Sequence, residues 1–174
     1  MRSEKGQSLL ELVVSMAIAI LVLSSLAFAI ITSLRNAQFA NRQIQSTKLA
    51  QDALEKVRSL RDRSGEIGGS FTLEGNLIDS WSDPDLWTNQ ISSSCTPNCY
   101  FKFSGPDFQY LGAGSDIPNN AEDSLGNGIF KRVVILSDDE ITYQTQKKIT
   151  AVVKWDDAAG PHESRLTTIL GKEL

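Results

Sequence analysis

Gly6-Gln7-Ser8-Leu9-Leu10-Glu11-Leu12-Val13-Val14-Ser15-Met16-Ala17-Ile18-Ala19-Ile20-Leu21-Val22-Leu23 opens a run that stays without charge from residue 12 to residue 34. That span is close to the roughly 20 apolar residues an α-helix needs to cross a bilayer. A single acid, Glu11, stands at its mouth. Drawing a carboxylate into the edge of hydrocarbon costs on the order of 2.5–3.5 kcal/mol or more. A chain that keeps one there has a use for it.

Upstream, residues 1–6 form a short polar leader with Arg2 and Lys5. Ala27-Phe28-Ala29 has the small-residue pattern of a secretory cleavage site. A signal peptide, however, carries an apolar region of about 7–15 residues. This run is longer, begins beside an acid and continues past that site. A plain N-terminal anchor is a second reading. Charge leaves the orientation open, because Arg2 and Lys5 precede the run while Arg35, Arg42 and Lys48 follow it. The large C-terminal part, with its cysteine pair, favours an outside location for the domain.

Downstream, residues 35–63 contain no proline and no glycine and are rich in helix formers. Ala50, Ala53, Leu54, Val57 and Leu60 recur at helical spacing and make one apolar stripe. Asp52, Glu55, Lys56, Arg58 and Arg61 lie mostly off it. Ser64-Gly65 is a stop signal. One helix over residues 7–63 is roughly 85 Å long at about 1.5 Å per residue. Its first half, 7–34, is apolar all round. Its second half, 35–63, is amphipathic and is expected to cover a sheet.

Residues 64–128 read as a variable loop region with short strands at 71–73 and 100–103. Turns are expected at 104–107 and 117–120. Asp79, Asp83 and Asp85 form a loose acidic group. Calcium takes several oxygens from such loops, but no EF-hand spacing is present, and a solvated loop is the simpler reading. Residues 129–174 are the clearest β-region. Strands are expected at 129–136, 148–155 and 164–170. Ile149, Ala151, Val153 and Trp155 share one face, opposite Lys148, Thr150 and Lys154. Short connections favour an antiparallel meander. With the helix as cover, the expected class is α+β: a long N-terminal helix packed on a C-terminal antiparallel sheet.

The chain has 174 residues and a formal net charge of -4, which argues against nucleic acid as a partner. Outside the cytoplasm, Cys95 and Cys99 can close a small loop as a disulfide. Thr96-Pro97-Asn98 between them is turn chemistry. Zinc needs two more ligands, and His162 is the only histidine. A redox pair more usually has Cys-x-x-Cys spacing. The sequence holds no serine elbow, no phosphate-binding glycine loop and no metal-ligand spacing, so no enzyme activity and no cofactor are expected. Asp138-Asp139-Glu140 and Asp156-Asp157 read as solvated turns.

At Gly6-Gln7-Ser8-Leu9-Leu10-Glu11 and the apolar run after it, the chain resembles the type IV pilin and pseudopilin family. The likeness lies in a short leader ending in Gly6, an acid five residues further on, a long N-terminal helix and a C-terminal antiparallel sheet. At motif level it covers about residues 2–34. The strands at 152–155 and 165–170 also resemble the minor pilin V and pseudopilin I group. The resemblance implies cleavage after Gly6 by a membrane-embedded prepilin peptidase and N-methylation of Gln7. It implies retention in the bacterial inner membrane with the C-terminal domain outside. Extraction into a helical filament would follow, with other subunits and an inner-membrane assembly platform as partners. Glu11 would pair with the Gln7 amine of a neighbouring subunit, since two buried opposite charges are costly alone and tolerable together. Two departures point to a minor pilin or pseudopilin over a major pilin: Gln7 stands where phenylalanine is usual, and Phe28 stands where major pilins often have a helix-breaking proline. The competing class is a membrane-anchored extracytoplasmic binding domain that does not polymerise.

Overall fold

A computed structural model describes residues 5–68, 71–105, 107–117 and 123–172. Residues 1–4 of the expected leader, and Pro106 and residues 118–120 of the two expected turns, lie outside the described residues. The chain divides into two compact units, Met1–Arg42 and Gln43–Leu174.

A single helix, α1 (Lys5–Asp62, 58 residues), runs through both. Its only glycine is Gly6 and it holds no proline, so nothing in its interior breaks the hydrogen-bond ladder. The helix ends just before the expected Ser64-Gly65 stop. Ser64, not Gly65, takes the left-handed conformation, with φ 51°. The Gly65 amide then caps the Leu60 carbonyl at 2.7 Å. A Cβ on Gly65 would stand 2.9 Å from the Leu60 side chain, which is why that position is glycine.

Within Gln43–Leu174, the end of α1 packs on a seven-stranded sheet. Its strands are β1 (Ile67–Gly68), β4 (Asn98–Ser104), β5 (Asp107–Gly114), β6 (Asp123–Leu125), β7 (Phe130–Ser137), β8 (Gln146–Asp157) and β9 (Gly160–Gly171). The order is β1-β5-β4-β7-β8-β9, with β6 also paired to β7. Every pairing is antiparallel except β1 with β5. A small hairpin, β2 (Thr72–Leu73) and β3 (Asn76–Leu77), and two short helices, α2 (Pro84–Thr88) and α3 (Ile91–Ser94), complete the described elements.

The expected stripe is the seam. Ala50, Ala53 and Val57 are wholly buried and Leu54 nearly so, while Leu60 is partly buried against the same core. Alanines at the centre let the helix lie close to the strands. Ile149, Ala151, Val153 and Trp155 of β8 face it as expected, beside Val134 and Leu136 of β7. Arg132, only 2% exposed, ties β7 to α1 by donating to the Asp52 carboxylate at 2.8 Å and the Leu49 carbonyl at 3.1 Å. Its guanidinium also lies 5.1 Å from the centre of the Phe103 ring. Burial pushes the Asp52 carboxyl up, but hydrogen bonds from Arg132 and Lys56 outweigh it and hold the group below the usual carboxylate range.

Three features differ from the sequence reading. First, the region 64–128 holds short strands at 71–73 and 100–103 as expected, but β5 is not among the expected strands and pairs with β4 inside the sheet. In β5, Gly112 has φ 140° beside the register shift between Tyr100 and Phe101, so a bulge interrupts the alternation that marks a strand. Second, the sheet's other face is not purely polar. Val152 is buried there with Tyr100, Val133 and Ile135.

Third, Asp138 is not a solvated turn residue. Its side chain is 1% exposed and pairs at 3.0 Å with Lys147, which is wholly buried. It also accepts the amides of Ile91 and Ser92, at 2.6 Å and 3.4 Å, so it holds the start of α3. Lys147 donates in addition to the Asn89 carbonyl at 3.2 Å. Burial pushes the Lys147 ammonium below the ordinary lysine range, against the pull of Asp138. Breaking such a pair leaves a buried charge alone, which costs about 3–5 kcal/mol. Asp138→Ala is therefore expected to lower stability by about that amount. Asp138→Ala/Lys147→Met is expected to recover most of it. Chemical denaturation of the detergent-solubilised chain, followed by tryptophan fluorescence, measures both.

Candidate functional site

The candidate site is the exposed first part of α1. Large apolar side chains from Leu9 to Leu34 are between 48% and 70% exposed. A stretch of this helix reaches a mean hydropathy of 2.6 with none of it buried inside the structure. By length and composition the helix suffices to cross a membrane. Apolar side chains recur on every side of it, so it has no polar face to turn to water.

Four of its hydroxyls are satisfied within the helix. Ser15 donates to the Glu11 carbonyl, Ser24 to that of Ile20, Ser25 to that of Val22, and Thr32 to those of Phe28 and Ala29. Such back-bonding removes the cost of placing a hydroxyl in hydrocarbon. Glu11 is the only ionisable side chain from residue 9 to residue 34, and it is exposed. Gly6 and Gln7 fall within the first turns of α1. Gln7 and Glu11 are four residues apart in the sequence of α1. A membrane-length helix joined to an α+β unit is the class of protein that fold and site define.

The other residues singled out in the sequence do not converge. Cys95 and Cys99 form a disulfide with a Cα–Cα distance of 5.0 Å, which closes the link between α3 and β4. Asp83 caps α2 by accepting the Asp85 amide at 2.9 Å, while Asp79 is exposed. No group of three metal-ligating side chains occurs among the described residues. His162 stacks on Trp155 with ring centres 5.4 Å apart, and its Nε2 lies 2.9 Å from the Asp157 carboxylate.

His162 and Trp155 also line a cleft of about 400 Å³ at the β8–β9 turn, with Lys154, Asp156, Pro161 and Glu163 among its walls. Arg165 donates to Glu163 at 2.8 Å and holds that carboxyl below the usual range. The cleft escaped sequence reading because its walls come from three strands and the turn before β7, with no shared motif. The one visible signal was the polar ends of the 148–155 and 164–170 strands.

The chain matches no protein-family model, no curated protein and no solved structure.

Alkylation of the denatured, unreduced protein is expected to label neither cysteine, and alkylation after reduction to label both. Peptide mass mapping of the segment containing Cys95 and Cys99 reads the result.

Proposed function

We propose that the chain is a structural subunit, of the minor kind, of a type IV pilus or a type II secretion pseudopilus. Glu11, alone on an exposed helix that is otherwise apolar, carries this reading. In hydrocarbon a lone carboxylate is expensive. An opposite charge brought by a neighbouring copy relieves that cost and fixes the register between helices. The amine created by cutting after Gly6 is such a charge, and it would sit four residues from Glu11. The helix would lie in the inner membrane with the C-terminal unit outside, and would then pack against sister helices in a filament. Prepilin peptidase and an inner-membrane assembly platform are the partners this requires. The cleft at the β8–β9 turn favours a second reading, a membrane-anchored binding domain that does not polymerise.

N-terminal sequencing of the mature protein, from cells with and without prepilin peptidase, separates the readings. The expected start is Gln7, and only when the peptidase is present. An uncut N-terminus favours the anchored domain, and a start at Ile30 means a signal peptide. Glu11→Val is expected to leave membrane insertion unchanged and to abolish incorporation into filaments, as read by membrane fractionation and by immunoblotting of sheared filaments. Normal incorporation of that variant removes the role given to Glu11.

A further inference from the structure

The connection between β7 and β8, residues 138–145, presents Ile141 at 89% exposure, the most exposed large apolar side chain among the described residues. The connection is built to hold it there. The Ile141 amide donates to the Asp139 carboxylate at 3.0 Å. The Tyr143 amide donates to the Asp139 carbonyl at 3.0 Å, and the Gln146 amide to the Thr142 carbonyl at 2.9 Å. The buried Asp138–Lys147 pair fastens both ends. Glu140, beside Ile141, is exposed and has no ion-pair partner among the described residues.

A cleft of about 220 Å³ elsewhere in the same unit has the complementary character. It is lined by Leu60 and Phe103, with Lys56, Ser59, Arg63 and Gly105 around them. Arg63 is exposed and donates to the Ser59 carbonyl at 3.0 Å, without a carboxylate partner among the described residues. The Lys56 ammonium lies 5.5 Å from the centre of the Phe103 ring. A Cβ built on Gly105 would meet nothing within 4 Å, so that side is open.

The knob and the cleft lie toward opposite ends of the sheet. β4 runs antiparallel to β7, with Cys99 opposite Leu136 and Phe101 opposite Val134. Gly105, beyond the end of β4, therefore lies toward the start of β7, whereas residues 138–145 leave its end. A chain does not fill its own cleft. A contact between two different patches repeats from copy to copy, and it runs on as an open helical filament wherever the rotation does not close a ring.

We propose that Ile141 of one copy seats in the Leu60–Phe103 cleft of the next, with Glu140 against Arg63. This inference rests on the polymerisation proposed above and adds a contact between globular units to the one between helices. It is tested in the full-length chain, in cells that assemble it. Ile141→Cys and Ser59→Cys are combined in one chain, and membranes are oxidised. The native cysteines are already paired and do not compete. Ala17→Cys, in the apolar helix, reports helix association separately. The expected result is a ladder of disulfide-linked multimers from the 59/141 chain and dimers from Ala17→Cys. Dimers from Ala17→Cys without the 59/141 ladder overturn the contact and leave polymerisation standing. Absence of both products overturns polymerisation, and the contact with it. Adding Glu140→Arg to the 59/141 chain is expected to lower the ladder yield about fivefold. Adding Arg63→Glu as well is expected to restore it. A yield that ignores both reversals overturns the assigned charge pairing.

Discussion

The close seating of Ala50, Ala53 and Val57 on the sheet is the contact on which the rest of the C-terminal unit depends. A sheet with one apolar face and no cover does not stay folded in water. The cover here is the end of a helix whose other residues have different work. Small side chains bring the helix backbone near enough for Arg132 to reach both the Asp52 carboxylate and the Leu49 carbonyl. A wholly desolvated ion pair often costs as much as it contributes. This one avoids that because Asp52 is half exposed while only the guanidinium is buried. The ion pair thus fixes where the helix lies across the strands, and the apolar stripe supplies the driving force.

Fold class was legible because it rests on two periodicities. The helix showed itself through a charge-free run followed by an i, i+3, i+4, i+7 stripe, with no proline or glycine between. The three C-terminal strands showed themselves through alternation around Ile149, Ala151, Val153 and Trp155. The middle of the chain was less legible for a definite reason. In β5 the residues are Asp107-Phe-Gln-Tyr-Leu-Gly-Ala-Gly114, and the bulge at Gly112 breaks the period of two. Such a strand is held by its neighbours more than by its own propensity. Asp138 was misread for a related reason. An acid in a polar run looks solvated until the lysine nine residues later is seen to fold back under it.

The candidate site was read in the opposite way, from composition at single positions. Glu11 stood out because its neighbours are apolar, and the structure adds that both it and they are exposed among the described residues. The clefts were not legible. Each collects side chains from distant stretches, and register brings them together: Lys56 and Phe103 across the helix–sheet seam, Lys131 and Lys154 across β7 and β8.

The back-bonded hydroxyls of Ser15, Ser24, Ser25 and Thr32 have one more consequence. With those groups turned onto the helix's own carbonyls, residues 12–32 show their surroundings a nearly unbroken coat of hydrocarbon. Turning such a rod about its axis changes little in what a neighbour feels. Moving it along its axis is different, because Glu11 enters or leaves the apolar layer. The helix is therefore smooth in angle and indexed in depth.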